Sequence, residues 1–433
     1  MSVSPQLLPH EHTLSLKTEV LADVLINVEN ILIIQDLDGV CMGLVKDPLT
    51  RVIDRNYVKA TQAFEGHFYV LTNGEHIGER GVNGIIERAF GNPAEVKAKG
   101  LYLPGLAGGG VQWQDRQGNV SHPGVSEAEL EFLAEVPPTI KRRLRRFFEQ
   151  KSTAAEIENL EECIQASVLE NKASPSANLN TFYDQLREYP QIYMDLQKDM
   201  QNLMQELLQE AQIKGLGDSF FVHYAPNLGR DLNGQELLRP AQAQDSGTTD
   251  FQFMLQGAIK EAGVLGLLNR YYFQRTGSYP LGEDFNVRQA PKTLEELLAL
   301  VKANFDPKDM PLMIGVGDTV NSSVEDIQGR VTVRRGGSDR NFLQLIQNIG
   351  QELNTGNIIV YIDSSQGEVK NRKPVKIGQH ETSGDEIVVL EGPGDVRDVD
   401  EPLTLNFVFH KGHQQYSQFF QKAAREREAS DQR

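Results

Sequence analysis

Two carboxylates one residue apart, Asp36 and Asp38, stand at the end of the apolar run Ile31-Leu32-Ile33-Ile34. Acids this close repel when both are ionised, and keeping both charged in a partly dry crevice is costly without a cation between them. Mg²⁺ suits such a place, because it takes hard oxygen ligands and keeps waters that a phosphate can displace. One carboxylate can then attack phosphorus and form an aspartyl phosphate. The other can protonate the departing alcohol and later deprotonate the hydrolytic water. Asp36 is the candidate nucleophile, Asp38 the candidate acid/base and Mg²⁺ the candidate cofactor.

An isolated D-x-D is most often a pair of surface acids in a loop. Here it follows a continuous run of β-branched and leucine residues, the pattern of a strand buried on both faces. Ligands of open α/β sheets bind at the carboxyl ends of the strands, so the spacing directs both acids into a crevice. Gly39 permits the sharp exit turn. A second strand is expected at Gly66-His67-Phe68-Tyr69-Val70-Leu71 after a helix over Asn56 to Phe64, and its tip carries Thr72-Asn73-Gly74. Taken alone, that tip is a good turn.

A hydrophobic strand followed by Asp36-Leu37-Asp38-Gly39-Val40 resembles the first motif of the haloacid dehalogenase superfamily. The resemblance implies a Rossmannoid α/β core, a parallel central sheet flanked by helices, with a large inserted α+β cap of the second type. It also implies roles in order along the chain. Thr72 would hydrogen-bond a phosphoryl oxygen, with Asn73 as a secondary contact. Lys292, just ahead of the helix opened by Thr293 and Glu296, would be the lysine that neutralises nucleophile and phosphate. Asp318, after Pro311-Leu312-Met313-Ile314-Gly315-Val316-Gly317, would join Asp36 and Asp38 as a metal carboxylate. The superfamily's usual further acid is missing: Asn321 fits the pattern, but Ser322 stands where a carboxylate is expected. Asn321, Ser322, Glu325, Asp326 and Asp339 are the candidates to fill that role. An alkyl phosphate needs a proton on its leaving oxygen, so the presence of Asp38 implies a phosphomonoesterase.

The chain of 433 residues is long enough for two or three domains, and 39% hydrophobic with 24% charged residues is an ordinary globular balance. A formal net charge of −17 excludes a nucleic-acid backbone as the natural partner, and an anionic substrate needs a local cation or basic cluster. Cys41 and Cys163 are the only cysteines, which suggests a reducing, cytoplasmic setting. No apolar run is long enough to span a bilayer, and the start of the chain lacks a signal-peptide pattern, so no membrane partner is expected.

The expected division is 1–95 for the first part of the core, 96–284 for the cap and 285–433 for the second part of the core. Within the insertion, a hairpin is expected at Val111 to Gln114, and Trp113 is a candidate sugar-stacking ring, although a lone Trp more often packs a domain edge. Ser126 to Gln212 reads as two or three long helices, broken near Pro137-Pro138 and again at Ala173 to Pro175. The basic run Lys141 to Arg146 is read as a solvated face, Gly215 to Asp218 as a turn into a strand, His223 as structural, and Phe251 to Arg270 as an amphipathic helix. Beyond the core's return, Ser338 is expected to cap a helix over Asn341 to Leu353. The glycines Gly336 and Gly337 before it would either bind an anion or simply connect strand to helix.

The stretches Leu106 to Asp115, Ser121 to Val125 and Arg335 to Arg340 resemble the glucosylglycerol-3-phosphate phosphatase family. That resemblance implies a Mg²⁺-dependent phosphatase making the compatible solute glucosylglycerol under salt stress, with the upstream glucosylglycerol-phosphate synthase as partner. Residue chemistry alone reaches only a phosphorylated polyol or sugar. Trehalose- or sucrose-phosphate phosphatases and a catalytically inactive regulatory relative remain open alternatives.

Overall fold

The strand Ile31–Gln35 is buried at every position. It therefore has to lie inside a sheet covered on both faces, and the computed structural model places it there. The structure describes residues 13–431 except 79, 151–156, 232–235, 243–244, 328–329, 370–371, 380–386, 392 and 394–399. The large sheet runs in the order Phe407–Phe409, Asn357–Ile362, Leu312–Gly317, Ile31–Gln35, Phe68–Leu71, Gly105–Ala107, Gln112–Gln114 and Val120–Ser121. Its first six strands are parallel, and the last two join antiparallel.

Alternation along the strands divides their apolar side chains between two layers. Ile31, Ile33, Phe68, Val70, Ile314 and Val316 face the helices Glu19–Asn27 and His413–Asp431, the latter burying Tyr416 and Phe420. Leu32, Ile34, Tyr69, Leu71 and Met313 face Lys260–Thr276, Leu294–Asn304 and Arg340–Glu352. This is the expected parallel α/β core with helices on both sides.

A separate core cluster belongs to the inserted layer. Four antiparallel strands in the order Val168–Leu169, Ser176–Asn178, Asp250–Leu255 and Phe220–Ala225 form its sheet. Asp250-Phe251-Gln252-Phe253 alternates strictly, so Phe251 and Phe253 go into the apolar cluster and Asp250 and Gln252 go to the opposite face. Each buried phenylalanine is worth roughly 1.5–3 kcal/mol in transfer terms.

The expected amphipathic helix over Phe251 to Arg270 is thus a strand followed by a helix. The helix begins only after Gly257, whose φ of +84° turns the chain. That helix packs into the large sheet's second layer, and Gly105–Ala107 and the hairpin after it extend the large sheet's edge. The span 96–284 accordingly contains core elements at both of its ends.

Pro137 and Pro138 do not break their helix. Glu127–Gln150 runs through both, with Pro137 buried. Proline removes hydrogen bonds without forbidding helical φ, and nine buried residues along this helix hold it together. The basic run on the same helix is solvated and paired: Arg143 with Asp199 and Glu206, Arg145 with Glu161, Lys141 with Glu170.

One core histidine supplies a pH test. His76 is fully buried, its Nε2 3.2 Å from the Gly105 carbonyl oxygen, and burial pushes its pKa down to about 4 from 6.5. The unfolded chain takes up this proton below about pH 6.5 while the folded chain does not. The associated stability is therefore full above that pH and is lost as pH falls toward 4. Urea unfolding between pH 7 and pH 5 should cost the natural chain about 2 kcal/mol more than a His76→Gln variant. Equal losses in the two chains would contradict the assignment.

Candidate active site

The strand order reverses beside Ile31–Gln35: later strands go first to one side, at Phe68–Leu71, then to the other, at Leu312–Gly317. Such a switch point leaves a crevice at the carboxyl ends of the two strands that flank it. Gln35 is in register with Val316, and the Asp36 N–H donates to the Val316 carbonyl at 3.0 Å, so Asp36 and Asp318 emerge side by side. Gly39 is required here for two reasons. Its φ is +80°, and a Cβ at that position would fall onto the Asp318 carboxylate.

Asp36, Asp318 and Asp339 are all buried and offer carboxylate oxygens within 4.8 Å of one another. Lys260 Nζ lies 2.9 Å from Asp36 Oδ1 and 2.7 Å from Asp339 Oδ1. The other oxygen of Asp339 accepts the N–H groups of Asp318 at 2.9 Å and Thr319 at 3.0 Å. Asp318 Oδ1 accepts from the Thr319 hydroxyl at 2.8 Å, while its buried Oδ2 has no hydrogen-bond partner among the described residues.

Burial lifts the Asp36 carboxyl to about 8, Lys260 opposing the rise and Asp339 and Asp318 adding to it. Burial likewise lifts Asp318 to about 6, Arg372 opposing and Asp339 adding. Burial would lower Lys260, but Asp339 and Asp36 raise it, so it stays charged. Crowded acids, one with a carboxylate oxygen that accepts no hydrogen bond among the described residues and has only the Arg372 guanidinium 3.8 Å away, fit a hard divalent cation, whose charge would restore their ionisation. Asp36 and Asp318 are the residues able to hold it. Asp339, bonded through both oxygens, positions Lys260 and the Asp318 backbone.

The other expected residues divide. Thr72, Asn73 and Asp38 line the same cleft as Asp36, Asp318 and Lys260. Thr72 Oγ1 accepts the Gly74 N–H at 3.1 Å, and Asp38 lies 3.0 Å from Arg51 Nε. The Asp38 side chain faces Arg51, and the group of close carboxylates consists of Asp36, Asp318 and Asp339 without it.

Lys292 is not at the site. It is exposed, and its ammonium donates to the Arg288 carbonyl at 3.1 Å. The expected capping box is present, with the Glu296 N–H on Thr293 Oγ1 at 3.2 Å, but it opens a helix whose leading residue is directed away from Asp36. Lys260 occupies the place beside Asp36 in which Lys292 was expected. The structure puts Lys260 at the start of a helix, where its charge opposes the helix dipole, a position that the reading of Phe251 to Arg270 as one helix concealed.

The acid missing at Ser322 has a structural cause. Asn321–Ile327 pairs with Arg330–Gly336 as a hairpin, Asn321 opposite Gly336, so the chain leaves the site and returns to it before Asp339. The side chains of Asn321, Ser322, Glu325 and Asp326 lie outside the described residues. Ser338 lines the cleft, and Asp339 rather than Ser338 occupies the N-cap position of Arg340–Glu352. Its carboxylate is drawn away from capping by Lys260 and the two amides. Trp113 packs beside Tyr69 with the Arg270 guanidinium 4.1 Å from its ring centre, an edge position rather than a sugar platform.

The inserted sheet roofs the cleft with its polar face. Asp250 is in register with Asn178 and Gln252 with Ser176, and all four line the cleft. Asn178 Nδ2 donates to Asp250 Oδ1 at 2.7 Å, and burial raises Asp250 to about 6 against the opposing charge of Arg51. The buried Gln252 Oε1 has no partner among the described residues. Glu75 ties roof to core: its carboxylate accepts the successive N–H groups of Lys172, Ala173 and Ser174, while Ser174 Oγ donates to the Asn73 carbonyl at 3.1 Å.

Buried carboxylates and a lysine at the switch point of a parallel α/β sheet, under an inserted polar roof, form a site suited to a phosphoric monoester hydrolase. The family model described as glucosylglycerol-phosphate phosphatase matches residues 30–424. A glucosylglycerol-phosphate phosphatase of Synechocystis sp. is 58% identical over 418 residues, covering 96% of this chain and 98% of that one. The chain belongs to the glucosylglycerol-phosphate phosphatase family. Among solved structures, the C-terminal domain of Candida albicans trehalose-6-phosphate phosphatase matches with a TM-score of 0.45 at 10% identity, covering 95% of this chain and 98% of that one. The Aspergillus fumigatus trehalose-6-phosphate phosphatase gives 0.38 at 8% identity over 95% and 99%. Neither value is high enough to carry an argument about the site or its substrate.

Proposed function

We propose that the chain hydrolyses glucosylglycerol 3-phosphate to glucosylglycerol and phosphate, in a cytoplasmic route to that compatible solute under salt stress. The observation that carries the reading is the 58% identity to the Synechocystis phosphatase across 96% of this chain. Asp36 Oδ attacks phosphorus and the ester bond breaks. Asp38, oriented by Arg51, gives its proton to the departing glycerol oxygen. Asp38 then takes a proton from water, whose oxygen attacks the aspartyl phosphate and frees Asp36. Lys260 offsets charge on the nucleophile and the phosphoryl group, and the Thr72 hydroxyl and Asn73 hold phosphoryl oxygens. Mg²⁺ held by Asp36 and Asp318 would supply further charge neutralisation at the phosphoryl group.

Glucosyl hydroxyls both donate and accept, and the roof offers both kinds of partner in Asn178, Asp250 and Gln252. No helix of the described residues is long and apolar enough to cross a membrane. The test is phosphate release from glucosylglycerol 3-phosphate, trehalose 6-phosphate and sucrose 6-phosphate, before and after chelation. The expected kcat/KM for the first exceeds the others at least about 100-fold, and chelation abolishes release until Mg²⁺ is returned. A preference for either disaccharide phosphate, or full activity in chelator, would defeat the proposal.

A further inference from the structure

The roof strand that carries Gln252 continues its row to His223, its register partner on Phe220–Ala225. His223 lines a second cavity of about 220 Å³, which shares Asn73, Lys260 and Ser338 with the catalytic cleft but not Asp36 or Asp38. We propose that this cavity is a second anion site and that it takes inorganic phosphate, the product of the hydrolysis. The proposal rests on the phosphatase reading of the neighbouring cleft.

Two buried side chains that line this space carry nitrogen atoms without a partner among the described residues. Arg340 is 7% exposed: one guanidinium nitrogen pairs with Glu401, and Nη1 has no partner among the described residues. His223 is 8% exposed: Nδ1 lies 2.9 Å from Glu236 Oε1, and the buried Nε2 is likewise unpartnered. With Nδ1 on Glu236, a ring that binds an anion would carry its N–H at Nε2 as well. Leaving such groups unpaired carries their full desolvation cost, so a site built this way calls for an occupant.

The backbone adds to it. Gly336, Gly337 and Ser338 line the cavity just ahead of the 13-residue helix Arg340–Glu352, and no side chain caps that helix, because Asp339 is turned to Lys260. Its first N–H groups and the positive end of its dipole are therefore available to negative charge.

The acids of the cavity wall are already engaged. Glu236 accepts from His223, the Tyr224 N–H and Asn227, and Glu261 accepts from Asn341 at 3.1 Å. What remains is mainly donors, which suits a phosphate better than a sugar, whose hydroxyls need acceptors as well. A phosphate freed from Asp36 meets this cavity across Lys260, while Asp38 and the roof residues stand on the side where the alcohol leaves. Separate exits would let the second product depart without displacing the first.

Equilibrium titration of the full chain with inorganic phosphate in Mg²⁺ buffer is expected to find two equivalents bound. Arg340→Lys keeps a charge for Glu401 but removes the second nitrogen, and His223→Gln removes the imidazole. Each should weaken one equivalent at least about 10-fold and leave the other unchanged. His223→Gln carries the test alone if Arg340→Lys does not fold. A natural chain that binds one equivalent, or variants that bind two with unchanged affinity, would overturn the second site. Hydrolysis measured on the same preparations separates the outcomes. One equivalent with full hydrolysis removes only the second site, whereas no hydrolysis by the natural chain removes the phosphatase reading.

Discussion

Asp36→Asn is expected to lower phosphate release at least about 10⁴-fold while the protein stays folded. The amide keeps the size of the side chain and the backbone bond to Val316, but it has no lone pair basic enough to form the phosphoenzyme. Burial and the neighbouring acids already hold the Asp36 carboxyl up at about 8, so its charge is not what keeps the fold together. Removing that charge relieves repulsion against Asp318 and Asp339, and Lys260 retains its 2.7 Å bond to Asp339. The thermal midpoint should therefore stay within a few degrees of the natural chain's, a shift of about 1 kcal/mol or less. An inactive but stable variant supports the nucleophile. An active one removes it, and a collapsed one would mean that Asp36 is structural.

The strand ends were legible because burial leaves a plain signature. Ile31–Gln35 and Leu312–Gly317 are apolar runs that stop at an acid, and a strand buried on both faces cannot be written otherwise. Thr72 followed from its place one strand after Asp36. Two things were hidden, both of them relations through space. Asp339 was one of five candidates for the missing acid, and because a hairpin returns the chain to its starting point before it, the sequence gap from Asp318 does not single it out. Lys260 opens a helix just after the strand Asp250–Leu255, whereas the sequence reading took Phe251 to Arg270 as one helix and so left Lys260 in its middle. The period-two pattern of Asp250 to Phe253 was the better guide there. It also marked Asp250 and Gln252 as facing away from the apolar cluster, which is how they come to roof the cleft.

The two lysines can be told apart by one substitution each. Lys260→Met should cut kcat about 10²–10³-fold, the size of effect seen when one donor to a developing oxyanion is removed. It should also destabilise the chain by about 3 kcal/mol, since Asp339 and Asp36 would be left buried without their cation. Part of that loss is recovered if Asp36 takes up a proton, which its raised pKa already favours. Lys292→Met should leave kcat within about twofold and stability within about 0.5 kcal/mol, because an exposed ammonium on one carbonyl oxygen contributes little. Steady-state rates and urea unfolding of both variants decide the matter. The reverse result would return the lysine role to position 292 and leave Lys260 as an internal counter-ion to two acids. Some cation must stand against Asp36 in either case, since a nucleophilic carboxylate and a phosphate dianion cannot approach each other in a buried crevice without one.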